Sequence, residues 1–216
     1  MSIKTRLDRH FVAFSAVAAA GAAVGFVENA DAAIVHSGTV NLTIASSTNG
    51  LYLNVVTGVI NEPGNTGGAS VPGWDINPWS SSALNYFNPA APAGGVYVQR
   101  TGGGATANLP FGTLIGPASV YGSSPASTTG SEPHVLSSSS NIIGFRFQNE
   151  ANANLVHYGW FRVSLDATLQ GQPRTLVEFA YDNEAGRGIE AGVIPAPASA
   201  ALLALGALGL AGRRRK

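Results

Sequence analysis

Residues 73–79 read Gly-Trp-Asp-Ile-Asn-Pro-Trp, two tryptophans around an aspartate and an asparagine. Such residues can bind a sugar: the indoles of Trp74 and Trp79 would cover the apolar side of a pyranose while Asp75 and Asn77 meet its hydroxyls. The same set also builds an anchored loop, with a Trp filling the edge of a core and Asp75 capping a turn, and the segment favours that reading. Calcium wants roughly six to eight oxygens, more than this stretch supplies. A second candidate surface combines Arg146, Trp160, Arg162 and Glu178 at matching positions of three expected strands. These residues make either an Arg–Glu cross-strand pair with an arginine stacked on Trp160, or a flat platform for a glycan; the pair is favoured.

Other chemistry is sparse. The chain contains no H-E-x-x-H, no G-x-S-x-G, no phosphate-binding loop of the Walker type and no cysteine. The run Gly-Gly-Gly-Ala-Thr-Ala at 102–107 lacks the strand-to-helix setting that would place a pyrophosphate, and reads as a turn. His36, His134 and His157 are scattered singly, and His157 reads as a packed or capping histidine. The hydroxyl-rich 136–141 segment has no nearby base to activate it, and the acidic turn at 182–188 is a weak metal candidate. The expectation is a non-enzymatic protein without cofactor or metal. A secreted hydrolase, the rival from another class, would need two carboxylates or a histidine dyad converging in a cleft.

The elements that must position these residues read as β. Short runs rich in Val, Ile, Tyr, Phe and Thr fall at 34–46, 51–60, 94–100, 109–116, 141–149, 155–166 and 174–183, separated by Gly, Ser, Asn and Pro. In the last three, alternation sets Ile143, Phe145 and Phe147, then Phe161, Val163 and Leu165, then Val177, Phe179 and Tyr181 on one face. Tyr158, Trp160, Arg162 and Ser164 fall on the opposite, mixed face. This predicts one all-β domain over 33–194, an antiparallel β-sandwich or jelly-roll. Residues 61–93 and 117–140, dense in turn formers, are expected as long surface loops.

Both ends differ from this body. Lys4, Arg6 and Arg9 precede an uncharged apolar run, and Ala30-Asp31-Ala32 supplies the small residues of a cleavage site, which makes 1–32 a secretory signal segment with an apolar helix. The body holds five arginines, Arg100, Arg146, Arg162, Arg174 and Arg187, and no lysine, against nine carboxylates. Such a mildly acidic body lacks the basic stripe that nucleic acid requires. At 195–216 a proline pair is followed by an uncharged run and then by Arg213, Arg214, Arg215 and Lys216. The run Ala198–Gly212 would span roughly 22 Å as a helix, short of the roughly 30 Å hydrocarbon core.

The order Pro195-Ala196-Pro197, apolar run, Arg213-Arg214-Arg215-Lys216 resembles the PEP-CTERM sorting signal of bacterial exopolysaccharide-associated proteins. Ala196 stands where that family's motif carries glutamate. The resemblance implies a short transmembrane helix, a transient stay in the inner membrane and processing by an exosortase-type protease or transpeptidase. It also implies delivery to the cell surface or extracellular matrix and a possible exopolysaccharide partner. With the body it gives an exported surface or matrix protein of structural or interaction type, the alternative being a carbohydrate-binding module of the exopolysaccharide matrix.

Overall fold

The computed structural model describes residues 34–61 and 66–194. The signal segment 1–32 and the tail 195–216, with the helices expected in them, lie outside the described residues. Among the described residues no helix is long and apolar enough to cross a membrane.

The body is antiparallel β-sheet with two single-turn 3₁₀ helices, Gly68–Ser70 and Glu150–Asn152. In chain order the strands are β1 (Ile34–His36), β2 (Leu42–Thr43), β3 (Asn77–Trp79), β4 (Asn85–Phe87), β5 (Tyr97–Val98) and β6 (Leu114–Ile115). Then come β7 (Tyr121–Gly122), β8 (Ser138–Asn149), β9 (Leu155–Leu165), β10 (Thr175–Asp182) and β11 (Ile189–Glu190). A central sheet runs β1-β10-β9-β8-β5-β7, with β2 also paired to β10; β3–β4 and β6–β11 form separate two-stranded sheets. The three long strands coincide with the clearest alternating runs, and β8 and β9 join through the five-residue hairpin loop at 150–154.

One face of the central sheet carries the expected aromatic core. Phe145, Phe147, Phe161, Val163 and Phe179 are buried there with Tyr97, under Leu51, Leu53, Ile76, Leu84 and Tyr86 from the preceding segments. In β10 the register departs from strict alternation. A bulge between Leu176 and Glu178 gives Leu176 the core position opposite Val163 and leaves Val177 half-buried, where its carbonyl accepts hydrogen bonds from the backbone N–H groups of Val40 and Asn41. An extra residue reverses the parity of everything before it.

The opposite face is not the mixed surface that alternation predicts. Trp160 and Tyr158 are buried with Ala180, Ile142 and Val98 under Ala107, Leu109, Ile115, Ile189 and Ala191. The β6–β11 pair and the 105–109 segment form this cover, and Gly144 makes it possible. A Cβ at Gly144 would come within 2.7 Å of Val98, 2.8 Å of Leu109 and 3.0 Å of Ile115, so a side chain there would push the cover away.

The segments expected as surface loops also contribute to the interior. Residues 61–93 contain β3 and β4 and bury Val71, Ile76, Leu84 and Tyr86, while 117–140 contain β7 and bury Ala126 and His134. Their prolines do not prevent this, since Pro78 uses only its carbonyl, which accepts the Leu51 N–H at 3.0 Å. Conversely, 51–60 makes only isolated bridges. The Asn54 side chain accepts from the N–H groups of Val56 and Thr57 and curls the chain into a turn.

Arg174 secures the hairpin. It is fully buried, and its guanidinium donates to the carbonyls of Ile44 (3.0 Å), Ala45 (2.8 Å), Ser80 (2.6 Å), Ala83 (2.6 Å) and Leu169 (2.9 Å). Its partners are backbone dipoles from three segments rather than a carboxylate. Ser80 and Ala83 lie in the β3–β4 turn, and Ser80 has φ of 103°, a costly value for a residue with a Cβ. The buried guanidinium thus fixes the turn of the hairpin that carries Trp79 and Phe87.

Candidate functional site

The Trp74 neighbourhood is assembled from four segments. Trp74 follows the Gly68–Ser70 turn, and its ring meets Tyr52 edge-on, centroids 4.9 Å apart. Phe87 of β4 lies nearly parallel to it, at 19° and 6.0 Å. Gly68 fits against the Trp–Tyr pair because it has no side chain: a Cβ would sit 2.7 Å from Trp74 Nε1 and 2.8 Å from Tyr52 Cε1. Strand alternation explains Phe87. Tyr86 points into the core, so Phe87 points out, and it is 49% exposed.

Residues of this aromatic group line two cavities. One, of about 150 Å³, is lined by Thr48, Tyr52, Asn77, Trp79 and Phe87. The other, of about 190 Å³, includes Trp74, Asp75, Gln148, Glu150 and Asn154. The hairpin loop 150–154 brings Glu150 here, and the Asn54 side chain donates to Glu150 and to the carbonyls of Pro72 and Gly73. Burial pushes the Asp75 carboxyl up to about 8, and the Glu150 charge adds to this, while the Val55 N–H donating at 2.8 Å acts in the opposite direction. At neutral pH Asp75 therefore holds a proton beside Glu150.

The residues singled out from the sequence separate into two groups. Trp74 and Trp79 are half-buried and belong to the aromatic group. Asp75 and Asn77 are buried and serve the local fold: Asn77 donates to the carbonyls of Asn49 and Leu51, and its own N–H is held by the Tyr97 hydroxyl at 2.7 Å. Trp160 lies on the covered face, fully buried, and cannot present its ring to a glycan there. The Arg162–Glu178 pair forms as expected, Nε to Oε1 2.7 Å, with the guanidinium 5.8 Å from the Trp160 ring centroid, and His36 joins it at 3.2 Å. Arg146 turns instead to Tyr121, 4.4 Å from that ring centroid. The sorting residues Pro195, Ala196, Pro197, Arg213, Arg214, Arg215 and Lys216 lie outside the described residues.

His157 is packed, its Nδ1–H donating to the Asp182 carbonyl at 2.8 Å while Nε2 accepts from Asn152 at 3.1 Å. His134 sits against the Tyr86 hydroxyl at 2.9 Å, and burial lowers its pKa to about 4. Tyr52, Phe87, Gln148, Glu150 and Asn154 were not visible as site residues. Only Phe87 had a local signal, the outward position beside a core tyrosine.

Comparison with family models, with curated proteins and with solved structures finds no match for this chain. The role of the site rests on its own residues.

Proposed function

We propose that this chain is an exported, non-enzymatic surface or extracellular-matrix protein of the interaction type. Segment 1–32 directs it across the inner membrane and the tail 195–216 sorts it, with an exosortase-type transpeptidase as processing partner. The observation that carries this reading is the order of the tail: Pro195-Ala196-Pro197, then an uncharged run, then Arg213, Arg214, Arg215 and Lys216. A basic cluster after a short apolar run stays on the cytoplasmic side, and prolines keep the approach extended for an enzyme. In architecture we read the body as sandwich-like, with the β3–β4 and β6–β11 layers standing for the outer sheets, between a signal helix and a transmembrane helix. Intact-mass measurement on protein recovered from cells tests the reading. Mature protein should end near Pro197, whereas Lys216 retained on surface-located protein would leave a plain membrane anchor.

A second reading, a carbohydrate-binding module of an exopolysaccharide matrix, is favoured by the exposed Phe87 ring lying parallel to Trp74, which itself shares a cavity lining with Glu150. Exposed aromatic faces next to hydrogen-bonding groups suit a sugar ring better than they suit a solvated surface.

A further inference from the structure

Resting on that second reading, we propose that the Tyr52–Trp74–Phe87 surface and the adjoining Glu150 cavity bind a neutral polysaccharide, with one pyranose on the aromatic rings and a neighbouring residue against Glu150. Three observations select this class of ligand. First, Trp74 lines a cavity of about 190 Å³, while Tyr52 and Phe87, the rings packed on it, line a separate one of about 150 Å³, so a chain lying over the three rings has room at more than one place. That arrangement suits an oligomer rather than a monosaccharide.

Second, the ionisable groups among the residues lining the two cavities are Tyr52, Asp75 and Glu150, with no cation. A uronate, sulfate or phosphate group would be repelled by Glu150 and would find no arginine or lysine to accept it. A neutral sugar offers hydroxyls from which Glu150 accepts and to which the side-chain amides of Gln148 and Asn154, on the same lining, can donate.

Third, the rings do not form a cage for a quaternary ammonium. Such a cage needs faces converging on a hollow. Here Tyr52 packs edge-on against Trp74 at 4.9 Å and Phe87 lies parallel to it at 6.0 Å, so the rings fill the space between themselves and present their outer surface.

The test is calorimetry on the full chain, purified in mild detergent. The probes are neutral hexasaccharides (cello-, xylo-, manno- and malto-series), an oligogalacturonate and tetramethylammonium. At least one neutral series should bind, and the oligogalacturonate and tetramethylammonium should not. Trp74→Ala and Phe87→Ala should each weaken binding at least about tenfold, and Glu150→Ala, which removes a hydrogen-bond acceptor, should weaken it at least about threefold. Phe111→Ala, at a ring 72% exposed elsewhere, should leave binding unchanged. Phe87 is a surface residue, so a wild-type circular dichroism spectrum for Phe87→Ala would show that loss of binding is not loss of fold.

Binding of none of the neutral series, or binding unaffected by both aromatic substitutions, would overturn the site. Preference for the uronate or for tetramethylammonium would overturn the ligand class. Cleavage of a bound hexasaccharide, lost in Glu150→Gln, would overturn the non-catalytic role. These results are independent of whether Lys216 is retained, which bears only on sorting.

Discussion

Trp160 and Trp74 both stand beside polar residues in the sequence, yet one is sealed in the interior and the other reaches the surface. Trp160 shares its strand face with Arg162 and Ser164, both partly exposed. The face changes character along its length: its Tyr158–Trp160 portion is covered by residues from 105–115 and 189–191, and its Arg162 end is not. Trp74 sits in a Gly- and Pro-framed stretch, and its ring is steadied by Tyr52 and Phe87 rather than enclosed. The difference teaches that alternation assigns a side chain to a face, while exposure is decided by whichever distant segment lands on that face.

The comparison breaks most directly at Trp160. Trp160→Ala should cost about 3–5 kcal/mol of unfolding free energy, read from urea midpoints, because it empties a packed site. Trp160→Phe should cost much less. The indole Nε1 has no hydrogen-bond partner among the described residues, so losing it removes an unsatisfied donor along with some volume. A cost for Trp160→Ala below about 1 kcal/mol would mean that the ring is not core.

Arg174→Ala comes next, expected to cost at least about 3 kcal/mol by leaving buried carbonyls unpaired. The damage should reach the aromatic surface too, since Arg174 holds Ser80 and Ala83 in the hairpin turn. Circular dichroism in the near ultraviolet, together with the calorimetric test, would report both effects. A variant of full stability would show that the guanidinium network is dispensable.

A smaller effect depends on pH. Asp75 titrates near 8 when folded against an ordinary 3.8, so its stabilising contribution is complete below 3.8 and is lost as pH rises to about 8. His134 behaves in reverse: it titrates near 4 when folded against 6.5, so its contribution is present above 6.5 and lost as pH falls towards 4. The two slopes oppose each other between about 4 and 6.5, and Asp75 acts without this opposition between about 6.5 and 8. Asp75→Asn should therefore be more stable than wild type at pH 8, by more than about 1 kcal/mol, and no more stable below pH 3.8. Denaturation at the two pH values checks this, and a pH 8 decline that persists in the variant would contradict a buried neutral carboxyl.

Much of the central sheet was legible, because β8, β9 and β10 carry long alternating runs that one buried face imposes. The two-residue strands β7 and β11 were not, since pairs of this length have no period to read, while β2, β5 and β6 fall inside expected runs that are much longer than the strands themselves. The bulge at Val177 was hidden for a related reason: Leu176, Val177 and Phe179 are all apolar, and only the register shows which one is displaced. In the site, Trp74 and Trp79 announced themselves by type. Glu150, Tyr52 and Phe87 come from 76, 22 and 13 positions away respectively, and only the folded chain joins them to Trp74.

The smallest expected effect on stability is at the surface. Phe87→Ala should change unfolding free energy by less than about 1 kcal/mol, against the large loss at Trp160. A comparable loss at Phe87 would place that ring in the core and remove it as a binding surface.

The central claim is that one tryptophan environment is built for contact and the other for packing. The chain has three tryptophans, so a ¹⁵N–¹H spectrum of the full chain in detergent should give three indole signals, assignable by single Trp→Phe substitutions. On titration with a neutral hexasaccharide that binds, the Trp74 signal should shift, with Trp79 following, while the Trp160 signal stays in place. A shift confined to Trp160, or a Trp74 signal unmoved at saturation, would contradict the account.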